Sequence, residues 1–202
     1  MTILQAGQIG RGFDKAGKAI ARLSETRANS RAGLGADVLV SVGLLSAGVQ
    51  RTHSDWLAAA LMVFSGLLLF TLVEYCFHRW LFHGPVPLME PGHRKHHANP
   101  QGDDSLPFFL PPMILLAVTA ALSLVLAASH ALLLTGGLAA GYAIYALSHR
   151  VIHSMSFRHP LGRRWAARHH VHHHRPDRNF GVTTPLWDII LGTRHVSRRR
   201  RE

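Results

Sequence analysis

Long apolar runs alternate with polar, mostly basic segments along this chain. The apolar runs cover residues 32–49 and 56–77, followed by one block, 106–148, that contains no acidic or basic residue. A membrane-spanning helix needs about 20 predominantly apolar residues. The run 56–77 meets this length with Glu74 as its only charge, whereas 32–49 is marginal and contains Asp37. The block at 106–148 is long enough for two spans, so the pattern predicts four spans in two hairpins.

Local signals support the division of the last block. Ser129-His130 interrupts its apolar sequence and is the predicted turn between the third and fourth spans. Pro111 and Pro112 suit the first turn of the third helix, where a missing N–H costs nothing. Gly137 and Gly141 form a pair of small residues four apart, which lets a membrane helix approach its neighbour closely. We therefore expect the fourth helix to pack tightly against another span.

The segments at the two ends are polar and basic. Residues 1–31 lack the apolar core of a secretory signal, and the spacing of their apolar residues fits an amphipathic surface helix or a disordered arm equally well. Residues 196–202 form a basic tail. The region between them, 32–195, is predicted to be one membrane domain. A single cysteine, Cys76, excludes an intrachain disulfide.

The distribution of charge predicts the orientation in the membrane. The net charge is +11, and the basic residues lie in the N-terminal arm, between the middle apolar runs and from Arg150 onward, with Arg51 as the exception. Four spans with both ends inside would make all the others cytoplasmic, as the positive-inside rule requires. Membrane anchoring therefore explains the basic charge better than nucleic-acid binding. Because arginine greatly outnumbers lysine, we expect a GC-rich bacterial genome and hence a bacterial inner membrane.

Histidines are the clearest chemical signal. Of sixteen in the chain, ten fall into four groups, and all four groups begin at the predicted cytoplasmic ends of the second and fourth spans. Histidine is the commonest metal ligand, so the pattern predicts a metal site at the membrane surface. The groups are His78/His83, His93/His96/His97, His149/His153 and His170/His173/His174.

The spacing within the groups suits more than one ion. Residues three and four apart share a helix face, whereas His78 and His83 are about 140° apart on a regular helix. These two would therefore bind different metals, or the helix would be distorted between them. A single ion takes about four protein ligands, so ten imidazoles predict two ions. Imidazole suits zinc, copper, iron and nickel alike. A soluble ferritin-like site needs two Glu-x-x-His helices, and this chain has only Glu90–His93, which contains Pro91-Gly92.

The order of these groups resembles the fatty acid hydroxylase and sterol desaturase superfamily of membrane-bound non-haem diiron oxygenases. The resemblance covers about residues 70–195 and includes Glu74–His83 and the sequence Gly181–Thr193, which is similar to the end of fatty acid 2-hydroxylases. It implies an all-α integral membrane protein with a cytoplasmic helical cap that holds a dimetal site. It also implies that the ten histidines bind two iron ions, with zinc as an alternative metal, for the activation of O₂. His169 is a lesser candidate, and His172 and His159 are given no role.

The activity that the resemblance implies is hydroxylation of a lipid, with a fatty acyl chain as the expected substrate. The sequence has no haem-attachment motif, ferredoxin cysteine set or nucleotide-binding glycine loop, so a separate cytochrome b5-like or ferredoxin-like protein would supply electrons. A carotenoid hydroxylase and a sterol or lipid desaturase are the alternative enzymes. A membrane metal-binding or transport protein is the alternative outside enzymes, although a transport path would need more polar residues within the spans than Asp37 and Glu74.

Carboxylates near the histidine groups are candidates for orienting the imidazoles. Metal-binding histidines usually donate their second N–H to a carboxylate, a carbonyl or water. We expect at least one of the four nearest acids to take part, and these are Glu74, Asp104, Asp177 and Asp188.

Overall fold

The computed structural model describes residues 19–84, 89–102 and 105–196, and within these ranges the chain forms helices without any β-strand. Most of the predicted arm and tail, together with Asp104, lies outside the described residues. After a short helical stretch at residues 19–24, the elements are α1 (Arg27–Gln50), α2 (Trp56–Cys76), a π-helix (Phe77–Phe82), α3 (Glu90–Ala98), α4 (Leu110–Leu122), α5 (Ala128–Ser154), α6 (Pro160–His174) and α7 (Leu186–Ile190).

Three helices are long and apolar enough to cross a membrane: Arg27–Gln50, Trp56–Phe82 and Ala128–Ser154. The all-helical membrane architecture is thus confirmed. The third predicted span corresponds to α4, which has 13 residues and is about 20 Å long, shorter than the roughly 30 Å of a bilayer's hydrocarbon core. A fourth full span stays a prediction. Pro111 and Pro112 do occupy the first turn of α4.

Glycines bring α5 and α2 into close contact. A Cβ atom added at Gly137 would lie 2.3 Å from the Val63 carbonyl oxygen, and one at Gly66 would lie 2.1 Å from the Leu134 carbonyl oxygen. One added at Gly141 would lie 2.6 Å from the Phe70 Cβ. The predicted close approach of the fourth apolar helix is confirmed, and Gly66 on α2 completes it.

The ends of the long helices define one functional end of the molecule. Asn29, near the start of α1, donates to the Leu106 carbonyl and accepts from the Phe108 N–H, both at 2.9 Å. Arg150, near the end of α5, contacts Ser30. At this same end, α2 leads through the π-helix to α3, and α5 leads to α6. All four histidine groups therefore meet at one end of the helical bundle.

Candidate dimetal site

Ten imidazoles assemble into two adjacent clusters, each with ligand nitrogens within 4.8 Å of one another. The clusters touch where the rings of His97 and His173 stack with their centroids 4.3 Å apart. Group A consists of His78, His83, His93, His97 and His172. Group B consists of His96, His149, His153, His169 and His173.

The assembled set and the predicted set share eight residues and differ at two positions, both on α6. His169 and His172 belong to the clusters, whereas the predicted ligands His170 and His174 do not. His170 and His174 instead line an open groove on the outer side of α6, together with Arg175 and His195. His159 caps the start of α6, where its Nδ1 accepts from the Leu161 N–H at 3.3 Å.

The orientation of α6 explains why His169 and His172, and not His170 and His174, belong to the clusters. The sequence from 169 to 174 contains two interleaved sets of histidines at spacings i, i+3 and i+4, and either set lies on one helix face. Trp165 and Ala166 share the face of His169, and both pack around a core of Ile152 and Val182. Burial of this apolar face turns His169, His172 and His173 inward. The position of Trp165 and Ala166 one turn earlier is a sequence signal for the register that the structure adopts.

A π-helix resolves the awkward spacing of His78 and His83. The His83 N–H donates to the His78 carbonyl at 3.2 Å, an i→i+5 bond that widens the helix by one residue. The two residues therefore lie one turn apart on the same side, and their ring centroids are 5.2 Å apart. Of the two outcomes that the spacing allowed, the distorted helix occurs, and both histidines enter group A.

The two long helices α2 and α5 contribute histidines to different groups. The α2 helix and its π-helical extension contribute only to group A, whereas α5 contributes His149 and His153 only to group B. The shorter helices α3 and α6, called the cap helices from here on, contribute to both groups, because neighbouring residues on each helix point into neighbouring clusters. The division falls between His96 and His97 on α3 and between His172 and His173 on α6.

The contacts among the imidazoles suit cations. In group A, the Nε2 atom of His93 lies 2.9 to 3.1 Å from the Nε2 atoms of three other histidines, His78, His83 and His97. A neutral imidazole nitrogen carries at most one proton, so these contacts cannot all be hydrogen bonds. In group B, the Nε2 atoms of His96 and His149 are buried without a partner. Converging lone pairs of this kind fit metal ions with bonds of about 2.0 to 2.1 Å.

Burial favours the neutral form that metal binding requires. Desolvation lowers the pKa of His96 and His172 to about 3 and that of His83 to about 4. Desolvation also lowers the pKa of His169, with further lowering by neighbouring imidazoles such as His149. At neutral pH these rings are uncharged, so a nitrogen lone pair on each is free to coordinate a metal.

Two of the candidate carboxylates act on the site through the backbone. Glu74 accepts from the N–H groups of Val182 at 2.5 Å and Thr183 at 3.0 Å. Asp188 accepts from the N–H groups of Phe180 at 2.8 Å and Gly181 at 2.9 Å. Within the described residues, neither carboxylate bonds to an imidazole. Together they hold the segment 180–183 beside the cluster.

The groups that bond directly to ligand imidazoles are backbone carbonyls, which the sequence did not indicate. His78 Nδ1 donates to the Phe180 carbonyl at 2.5 Å, and His172 Nδ1 donates to the Arg178 carbonyl at 2.8 Å. Asp177, by contrast, is exposed and pairs with Arg178 at 3.2 Å. The orienting role expected of a carboxylate therefore belongs to the backbone that Glu74 and Asp188 hold in place.

Sequence comparisons identify relatives of this chain. A sequence model of the fatty acid hydroxylase family matches residues 63–193. The chain is 32% identical to dihydroceramide fatty acyl 2-hydroxylase FAH2 of Arabidopsis thaliana over 144 residues, which cover 66% of this chain and 60% of the relative. It is 34% identical to the fatty acid 2-hydroxylase of Rattus norvegicus over 142 residues, which cover 63% of this chain and 38% of the relative.

A solved structure shows the same fold. The structure of full-length Scs7p, in which only the hydroxylase domain is visible, aligns with a TM-score of 0.70 and 24% sequence identity. The alignment covers 87% of this chain and 69% of that one. In the sequence comparisons, this chain spans only part of its relatives, about 60% of the length of the plant protein and 38% of that of the rat protein.

Proposed function

The chain belongs to the fatty acid hydroxylase family, and we propose that it is an O₂-dependent lipid hydroxylase that inserts one oxygen atom into a C–H bond of a fatty acyl chain. The observation that carries this proposal is the pair of five-histidine groups at one end of the spanning helices. The names of the relatives support carbon 2 of the acyl chain as the position of attack.

Conversion of C–H to C–OH is a two-electron oxidation of the carbon, which no side-chain acid, base or nucleophile can perform, so the oxidising power has to come from a cofactor. Two iron ions, one in group A and one in group B, would supply this redox chemistry. Zinc binds imidazole equally well but has no redox activity, which favours iron as the functional metal.

The chain itself orients the ligands and limits access of water to them. The ring of Phe82 stacks on His93 at 5.0 Å, and the ring of Tyr145 stacks on His149 at 5.7 Å. These aromatic walls place apolar surface against both groups, and an apolar surrounding controls solvent access to a metal site.

The surroundings of the site support a substrate that stays in the bilayer. Helix α7 is tied to the membrane-spanning part of α2 by a bond of 2.9 Å from Trp187 Nε1 to Thr71 Oγ1. Its apolar residues Ile189 and Ile190 are 53% and 59% exposed, and Trp80 beside group A is 52% exposed. Apolar and aromatic side chains at this level suit the interface between water and lipid. An acyl chain would therefore reach the site from the membrane.

The reaction also needs electrons and a defined side of the membrane. One oxygen atom of O₂ enters the C–H bond and the other leaves as water, so the reaction consumes two electrons and two protons. We propose that a separate electron-transfer protein supplies the electrons. The distribution of basic residues supports a cytoplasmic site and cytoplasmic termini, and the excess of arginine supports a bacterial inner membrane.

Lipid mass spectrometry with isotopic oxygen tests this function. Cells that produce the chain under ¹⁸O₂ should contain acyl lipids heavier by one ¹⁸O atom, and the His149→Ala variant should not produce them. The matched control is His130→Ala on the same helix, which removes a histidine from the opposite end of α5.

The other outcomes identify the alternatives. Loss of two hydrogens without gain of oxygen would indicate a desaturase, and labelled carotenoid would indicate a carotenoid hydroxylase. Metal uptake with no change in any lipid would favour a binding or transport protein and overturn the proposed activity.

A further inference from the structure

Groups A and B differ in how their imidazoles are held. Two imidazoles of group A donate Nδ1–H to backbone carbonyls, those of Phe180 and Arg178. Within the described part of the chain, the hydrogen-bonding contacts of the group B imidazoles involve only other imidazoles, as between His153 and His169 at 2.9 Å. An Nδ1–H bond fixes both the tautomer and the ring plane, and leaves Nε2 as the ligand atom.

The unpartnered nitrogens show the same asymmetry. Four imidazole nitrogens in the described residues are buried without a hydrogen-bond partner, and all four belong to group B. Two of them, His96 Nε2 and His149 Nε2, are candidate ligand atoms, whereas His169 Nδ1 and His173 Nδ1 are non-ligating nitrogens and therefore bear on ring orientation. The Nε2 atoms of His169 and His173 face each other at 3.1 Å, so their Nδ1 atoms are on the side away from the cluster. Among the residues that the structure describes, no acceptor bonds to the Nδ1 atoms of these two rings.

A single residue, Asn179, separates the two backbone carbonyls that face group A. Asn179 lies between Arg178 and Phe180, and its φ of +55° is the only positive φ among the described non-glycine residues. This left-handed conformation is accessible to asparagine at lower cost than to most residues. The carbonyls on both sides of Asn179 contact imidazoles from two different helical elements, those of His78 and His172.

The side chain of Asn179 secures this turn. Its Nδ2 donates to the Arg168 carbonyl of α6 at 3.2 Å, and its Oδ1 accepts from the His195 N–H at 2.8 Å. Its backbone N–H donates to the Thr193 carbonyl at 3.0 Å, and the residue is only 4% exposed. Asn179 therefore ties the turn both to the helix that carries His172 and to the end of the described chain.

We propose that Asn179 is a positioning residue that preorganises group A, so that the chain has one tight metal site in group A and one weaker, more exchangeable site in group B. This inference rests on the proposed dimetal function but concerns metal binding alone. A ligand that is already oriented loses less freedom when the metal binds, which raises affinity. Loss of such orienting partners typically lowers metal affinity about 10- to 100-fold.

Titration with Co²⁺ tests the inference without turnover. The full chain, purified in detergent and stripped of metal, should bind the first equivalent at least about tenfold more tightly than the second. His83→Ala should remove the tight phase, and His153→Ala should remove the weak phase. These two variants assign each phase to its group.

Asn179→Ala should weaken the tight phase about 10- to 100-fold and leave the weak phase within about twofold. Asn179→Gly keeps access to the positive φ while it removes both side-chain hydrogen bonds, so it should have a smaller effect. The glycine variant also tests the inference if the alanine variant does not fold. Thermal unfolding and size-exclusion chromatography serve as the controls for folding.

Two results would overturn the inference: equal affinities of the wild-type chain for both equivalents, or a uniform loss in both phases when Asn179 is changed. A chain that binds Co²⁺ in two phases but forms no oxygenated lipid would contradict the proposed function and leave this inference intact.

Discussion

Group A and group B contain the same number of imidazoles, yet different kinds of structure hold them. Group A is formed around a π-helix on one side and the turn at Asn179 on the other, and the backbone contacts two of its rings. Group B is formed mainly by regular helices, and its rings contact one another. Equal ligand sets therefore do not make equal sites, because the partners of the non-ligating nitrogens decide how well each ring is oriented.

Helices contribute to the two groups in a regular way. Each group receives ligands from one spanning helix and from both cap helices. A change that moves α5 relative to α2 would consequently move group B relative to group A. The separation of the two ions depends on helix packing inside the membrane as well as on the cap.

The largest effects are expected from the histidines of α6. His172→Ala in group A and His169→Ala in group B should each reduce hydroxylated product more than about 100-fold, since loss of a ligand costs more than loss of an orienting partner. Each variant should also lose about one bound metal per chain, as measured by elemental analysis.

The matched controls are His170→Ala and His174→Ala, which lie on the same helix but belong to neither group. Both should retain product and metal within about twofold of the wild type. Loss of activity in this pair together with retention in the other would restore the ligand set predicted from the sequence.

A smaller effect is expected from Asp188→Asn. The new amide would place a donor opposite the N–H of Gly181 or Phe180, and a buried unsatisfied donor costs about 1 to 3 kcal/mol. We expect a lower thermal unfolding temperature, together with about a 10- to 100-fold weaker first phase of Co²⁺ binding. Asp177→Asn, on an exposed side chain, should change neither value. Equal effects of the two substitutions would argue against the role assigned to the segment 180–183.

The smallest effect is expected in the membrane-spanning helices. Gly137→Ala would place a methyl group 2.3 Å from the Val63 carbonyl oxygen, and overpacking of this kind typically costs about 1 to 3 kcal/mol. Because α5 would shift, the second phase of Co²⁺ binding should weaken more than the first. Gly43→Ala, where nothing lies within 4 Å, should leave both phases unchanged. A greater loss of Co²⁺ affinity in the first phase would contradict the proposed dependence of group B on the position of α5.

Much of the architecture follows from patterns of residue type. Apolar length and helix-spacing rules predict the long helices, the close approach at Gly137 and Gly141, and the gathering of histidine groups at one end. They do not determine whether Leu110–Leu122 crosses the bilayer, because the same apolar composition suits a full span and a shorter buried helix.

The details of the site depend on tertiary contacts that spacing does not encode. The two histidine registers of α6 have identical spacing, and only the packing of Trp165 and Ala166 against Val182 selects one. The acceptors at Arg178 and Phe180 are backbone carbonyls, which every residue has, so the residue types do not indicate them. The π-helix was one of two ways to accommodate His78 and His83, and nothing in the local sequence selected it.

The central claim is that the ten assembled histidines hold two ions, one in each group. Anomalous X-ray diffraction at the iron edge on crystals of the iron-loaded chain tests it most directly. We expect two peaks, one among the five histidines of group A and one among those of group B, each about 2.0 to 2.2 Å from several imidazole nitrogens. A single peak, or a peak coordinated by His170 and His174, would contradict it.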